Sequence, residues 1–74
     1  MFTESELREY LDNLIEDLNL AAMTEDDNAI DAFERSHEAE DTVSAMIHEA
    51  EANAHNARAQ VYRSIKARLE GIVG

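Results

Sequence analysis

Residues 43–65 read VSAMIHEAEANAHNARAQVYRSI, and this stretch decides the fold. It contains neither glycine nor proline, and alanine, the strongest helix former, recurs through it. At about 100° per residue, its apolar side chains collect in one stripe that includes Val43, Ile47, Ala50, Ala54, Ala57, Val61 and Ile65. The pattern predicts an α-helix with a narrow apolar face made mostly of alanine, which favours close helix packing.

Signals for the start and end of helices lie outside this stretch. The sequence TESE at residues 3–6 has the spacing of a capping box and predicts a helix start near Glu4. The sequence TEDD at residues 24–27 is a second candidate cap followed by three acids, which suit the positive end of a helix dipole. Gly71 is placed where a left-handed C-terminal cap residue belongs.

These signals predict an all-α fold in a single helical domain, residues 1–74. A short amphipathic helix is expected at about residues 4–19, with Leu7, Leu11, Leu14 and Leu18 on its apolar side, then a turn at about 20–24 and a long helix at about 25–70. The polar run at residues 36–41 predicts a bend or local fraying within the long helix.

The unequal lengths of the two predicted helices lead to a prediction of self-association. The first helix reaches about 24 Å and the second about 70 Å, so the first cannot cover the second. The apolar stripe therefore needs another copy, most simply in a coiled-coil-like dimer. The self-association residues are Val43, Ile47, Ala50, Ala54, Ala57, Val61 and Ile65. Parallel and antiparallel pairing both remain open, and an isolated, partly frayed helix is the alternative.

Charge is distributed unevenly along the chain, whose formal net charge is −11. Residues 1–51 hold 16 acids against Arg8 and Arg35, whereas residues 52–74 hold four cations against Glu70. This polarity favours an antiparallel neighbour, although cations near a helix C-terminus are also stabilising on their own. The acidic excess disfavours direct binding to nucleic acid or to an anionic membrane surface.

A rod studded with carboxylates indicates a non-enzymatic protein that binds the basic surface of another protein. Such a protein is expected to be an inhibitor or DNA mimic, of the phage or plasmid kind, that acts on a nucleic-acid-handling protein. The alternative is a solvated face that only keeps the chain soluble. The candidate partner-binding residues are Glu6, Glu9, Asp12, Glu16, Asp17, Asp26, Asp27, Asp31, Glu34, Glu38 and Asp41.

A second function class is a helical-bundle metal site. Glu34 and His37 have the Glu-x-x-His spacing, and His48, Glu51 and His55 follow at spacings of three and four. These nitrogen and carboxylate donors suit Zn, Fe or Mn across an oligomer interface. The same histidines, beside acids, could instead make helicity depend on pH.

No cofactor is expected, and catalysis is disfavoured. Asp41, Ser44 and His48 follow one another along a single helix, without a cleft or oxyanion donors around them. The chain has no cysteine, no long apolar run and no basic leader, so a cytoplasmic location is expected.

Overall fold

A computed structural model describes residues 2–74 as two long helices, α1 (Glu4–Glu38) and α2 (Thr42–Val73), joined by a three-residue turn. They pack against each other in a rod of 57 × 18 × 14 Å. Contacts pair the two ends of the chain and the residues on either side of the turn, so the helices run antiparallel. The predicted all-α helical hairpin is thus confirmed.

The start of α1 agrees with the predicted capping box. The Thr3 hydroxyl oxygen accepts a hydrogen bond from the Glu6 backbone N–H at 3.1 Å. The same hydroxyl donates to the Glu6 carboxylate, also at 3.1 Å. These contacts satisfy one of the free N–H groups of the first turn, so the helix begins at Glu4.

The predicted turn at residues 20–24 is wrong, and with it the predicted end of the first helix near residue 19 and the predicted start of the second near residue 25. Thr24 lies inside α1, where its hydroxyl donates to the Leu20 carbonyl oxygen at 3.0 Å. The second cap is Asp41, whose carboxylate accepts from the Ser44 N–H at 2.7 Å and from the Ser44 hydroxyl at 3.0 Å. The chain reverses at residues 39–41, within the run for which a bend was predicted.

The predicted role of Gly71 is also wrong. Helix α2 continues through Gly71 to Val73, and no glycine within residues 2–74 has a positive φ. The C-cap is Gly74, whose N–H donates to the Glu70 carbonyl oxygen at 2.8 Å.

The two helices have nearly equal lengths of 35 and 32 residues, about 52 and 48 Å. The prediction of one short and one long helix is therefore wrong. Because the two helices have nearly the same length, α1 covers α2 over its whole length.

Each helix buries one stripe whose residues alternate at spacings of three and four, the pattern of two helices packed along a seam. In α1 the stripe is Leu11, Ile15, Leu18, Ala22, Glu25, Ala29, Ala32 and Ser36, and in α2 it is Ala45, His48, Ala52, His55, Ala59, Tyr62, Lys66, Leu69 and Val73. All of these side chains are buried or half-buried. Several are polar, so the seam relies on contacts between charged groups as well as on apolar packing.

The buried core consists of alanine alone. Over residues 2–74 the buried side chains are Ala22, Ala29, Ala32, Ala52 and Ala59, and no large side chain is completely buried. By contrast, the stripe predicted for self-association faces away from α1. Val43 is 67% exposed, Ile47 53% and Val61 55%. The hairpin therefore forms through a different face of α2.

Candidate interaction surfaces

Most of the predicted partner-binding acids lie along the exposed side of one continuous helix. The structure places nine of them in α1 with exposed side chains, rather than on a short helix and the start of a second one: Glu6, Glu9, Asp12, Glu16, Asp17, Asp27, Asp31, Glu34 and Glu38. Among residues 2–74 none of these nine carboxylates forms an ion pair. We call this set the acidic face of α1.

An apolar patch interrupts the acidic face midway along α1. Leu20 is 54% exposed and Met23 53%, and Ile30 continues the patch one turn after Asp27. The sequence pattern did not reveal this patch, because a turn was predicted at residues 20–24, which include Leu20 and Met23. A continuous helix instead displays them between two acidic segments, and such exposed side chains can anchor a contact with another protein.

The other two predicted acids, Asp26 and Asp41, make contacts within the hairpin. Both amino groups of the Arg63 guanidinium donate to the Asp26 carboxylate, and this hydrogen bonding holds the Asp26 pKa below its usual value and raises the Arg63 pKa. The hydrogen bond from the Ser44 backbone N–H likewise lowers the Asp41 pKa. Asp26 thus links α1 to α2 and Asp41 caps the start of α2, so neither is counted in the acidic face.

A cluster of charged and polar groups joins the helices near their middle. The Glu25 carboxylate lies 2.5 Å from Nδ1 of His55 and 3.5 Å from Nη1 of Arg58. The hydrogen bond with His55 is the main cause of a lowered Glu25 pKa, and Arg58 adds to it. Further along, Nζ of Lys66 donates to the Asn19 side-chain oxygen at 3.3 Å. The basic part of α2 thus has an antiparallel acidic neighbour within the same chain.

The outer face of α2 differs sharply from that of α1. The residues pointing away from the buried stripe carry no charge from residue 43 to residue 67. They are Val43, Met46, Ile47, Ala50, Asn53, Ala54, Ala57, Gln60, Val61, Ser64 and Ala67, and all of them are exposed. We call this set the uncharged face of α2. It contains six of the seven residues predicted for self-association, and Ile65, 43% exposed, lies at its edge.

Of the five candidate metal ligands, the structure of residues 2–74 shows contact only between His48 and Glu51, which are neighbours on α2. Glu34 and His37 are exposed near the end of α1, whereas Nδ1 of His48 lies 3.5 Å from Glu51 and His55 contacts Glu25. No group of three or more His, Cys, Asp or Glu side chains within residues 2–74 is arranged to hold a metal ion. Asp41 and Ser44 together form the N-terminal cap of α2.

Comparison with known proteins finds no family model, curated protein or solved structure that matches this chain. Neither α1 nor α2 contains a stretch apolar enough to cross a lipid bilayer. The two outer faces of the hairpin are the surfaces open to a partner.

Proposed function

We propose that this chain is a non-enzymatic interaction protein whose acidic face on α1 binds a basic surface of another protein. The partner class is a nucleic-acid-handling protein, for which the acidic face acts as an inhibitor or DNA mimic. The observation that carries the proposal is the set of nine exposed carboxylates without an ion pair within residues 2–74. A cytoplasmic location belongs to the same proposal.

The distribution of charge within the hairpin supports this function. Two of the four cations in the basic part of α2, Arg58 and Arg63, contact acids at the seam and leave the acidic face uncompensated. The nine carboxylates lie between Glu6 and Glu38, over about 48 Å of helix, at an average spacing of about 6 Å. Phosphates in one strand of duplex DNA follow one another at about 3.4 Å along the axis. A groove lined by Lys and Arg can therefore contact several carboxylates at once, although at lower charge density than on DNA.

The apolar patch supports a protein partner in preference to a small cation. Leu20 and Met23 offer an apolar contact between two acidic segments, and protein interfaces combine such a centre with a polar rim. The matching partner surface has Lys and Arg around a shallow apolar pocket. Charge then increases the association rate, and the patch slows dissociation.

The test is capture of partners from the native cell by the immobilised protein, followed by elution with duplex DNA. We expect the captured proteins to bind duplex DNA themselves, to be released by that DNA, and to bind less as salt rises. Capture that neither DNA nor salt reduces would contradict the proposed function.

A matched pair of variants separates the acidic face from total charge. Glu9→Gln with Glu16→Gln removes two charges from the acidic face, whereas Glu40→Gln with Glu49→Gln removes two exposed charges elsewhere. We expect at least a several-fold loss of capture only for the first pair. Equal loss for both pairs would show that net charge, and not this face, attracts the partner.

A further inference from the structure

We propose that two copies of this chain pair antiparallel through the uncharged face of α2, in one defined register. In this dimer the two α2 helices lie in the middle and the two α1 helices lie outside. Both acidic faces then point to solvent, so the dimer does not depend on the proposed function.

The core of a single hairpin is made of small side chains, which favours pairing of two copies. Across residues 2–74 of one chain only alanines are buried, while large apolar side chains such as Val43, Met46 and Ile47 remain more than half exposed. A core of small residues removes little apolar surface from water, and a small domain with such a core is marginally stable. Pairing through α2 removes the larger side chains from water.

The outer face of α2 has no charged residues between residues 43 and 67, which also favours pairing through this face. A helix face that meets only water normally carries charged residues, as the acidic face of α1 does. The uncharged face instead has alanines at its centre, at Ala50, Ala54 and Ala57, with larger apolar residues on either side of them. Small residues at the centre of a face let two backbones approach closely, and Val61 and Ile65 border a shallow groove along the helix.

Charge complementarity fixes the register and identifies the occupant as a second copy. Glu51 and Arg58 lie on the same edge of the uncharged face, one heptad apart and centred near Ala54. A two-fold axis that sets Ala54 opposite Ala57 of the other copy brings Glu51 within one turn of Arg58 across the interface, and this contact occurs twice. Both side chains are about half exposed in the single hairpin, so they can reach a partner.

The charges at the ends of the face favour antiparallel over parallel pairing. In the antiparallel register, Arg68 of one copy lies within about one turn of the acidic turn residues Glu40 and Asp41 of the other. Parallel pairing instead places the Arg68 side chains of the two copies next to each other in the dimer interface. Opposite charges at both ends thus favour the antiparallel arrangement.

Sedimentation of the full chain tests the surface. We expect a dimer at high micromolar concentration, and Ala54→Glu is expected to give a monomer whose helicity by circular dichroism is unchanged, because Ala54 is exposed in the hairpin. Asn13→Glu, which adds the same charge on the exposed side of α1, is expected to remain dimeric. A monomeric wild type, or an Ala54→Glu dimer as tight as wild type, overturns the proposal.

A distance measurement tests the direction of pairing. The chain has no cysteine, so Ala67→Cys accepts a single spin label at an exposed position. In the proposed register the labelled positions of the two copies are separated by about 23 residues of helix, or about 35 Å. A pulsed electron spin resonance distance near that value supports the antiparallel register, whereas a distance below about 15 Å indicates parallel pairing and overturns it.

Charge exchange tests the register itself. Glu51→Arg alone is expected to weaken the dimer at least several-fold, because each new arginine then faces Arg58 of the other copy. Adding Arg58→Glu to it restores opposite charges and is expected to recover most of the affinity. A double variant that dimerises no better than Glu51→Arg overturns the register, provided that thermal unfolding shows the hairpin intact.

Discussion

The outer faces of α1 and α2 are equally open to solvent in one hairpin, but they have opposite chemical character. The α1 face carries nine exposed carboxylates around a small apolar patch, whereas the α2 face carries no charge between residues 43 and 67. An acidic face is compatible with solubility alone, whereas an uncharged outer face is not. The difference supports the two proposals made above, a different protein at the acidic face of α1 and a second copy at the uncharged face of α2.

This comparison depends on which side of α2 packs against α1, and alanine positions on the two sides test it. Ala59 is buried in the seam and Ala57 is exposed on the uncharged face. Ala59→Leu overfills the seam and is expected to cost about 1–3 kcal/mol of stability. For a domain of this size that loss lowers Tm by roughly 4–8 °C per kcal/mol, measured by thermal unfolding at low protein concentration.

Ala57→Leu is the matched control, because it adds the same atoms two residues away. On an exposed helix position it is expected to change the stability of the hairpin by less than about 0.5 kcal/mol. If Ala57→Leu destabilises the single chain as much as Ala59→Leu, the inner and outer sides of α2 are assigned wrongly and the comparison fails.

The position of the turn determines how long each outer face is, and helix capping tests it. Asp41 accepts two hydrogen bonds from Ser44 at the start of α2, so Asp41→Ala is expected to cost about 1 kcal/mol. Thr24 makes only a hydrogen bond to the carbonyl oxygen of Leu20, and alanine is the better helix former. Thr24→Ala is therefore expected to leave stability unchanged or slightly raised in the same unfolding assay, and a larger loss for Thr24→Ala would place the turn near residue 24.

The same two residues show how much of the fold could be predicted from sequence. The capping box at Thr3 was predicted correctly because it depends on four neighbouring residues alone. Thr24 has the local pattern of a helix cap, but α2 is capped at Asp41 instead. Which of the two positions caps a helix depends on pairing over the full length of the chain. A turn at residues 39–41 gives two helices of matching length, each with a continuous seam.

The seam of α1 could not be recognised from the sequence because one of its positions is the acid Glu25. An acid at a seam position suggested a helix start, because acids are favourable near a helix N-terminus. Its contacts with His55 and Arg58 explain its position, and both lie about 30 residues further along the chain. For the candidate surfaces, composition and periodicity identified the acids and the apolar stripe, but the assignment of each to a separate outer face required the three-dimensional pairing.

The smallest expected effect on stability is that of the ion pair between Arg63 and Asp26 at the edge of the seam. This pair is the reason why Asp26 is not counted in the acidic face of α1. Because hydrogen bonds from Arg63 lower the Asp26 pKa, the pair stabilises the hairpin above the unfolded-state pKa of about 4. This contribution is lost as the pH falls through the lower folded-state value. Arg63→Gln is therefore expected to be slightly less stable than wild type at pH 7, with the difference in unfolding free energy narrowing below about pH 4.

At low protein concentration, where the chain is a single hairpin, Arg68→Gln serves as the control for this effect, because it removes one positive charge from a side chain that forms no ion pair within residues 2–74. Each variant lacks one positive charge, so the effect of that change in net charge is common to both. Only the pH dependence of the difference between Arg63→Gln and Arg68→Gln then reports on Asp26. If that difference stays constant from pH 7 to pH 2, Asp26 is not held by Arg63 and belongs with the acids that are free to meet a partner.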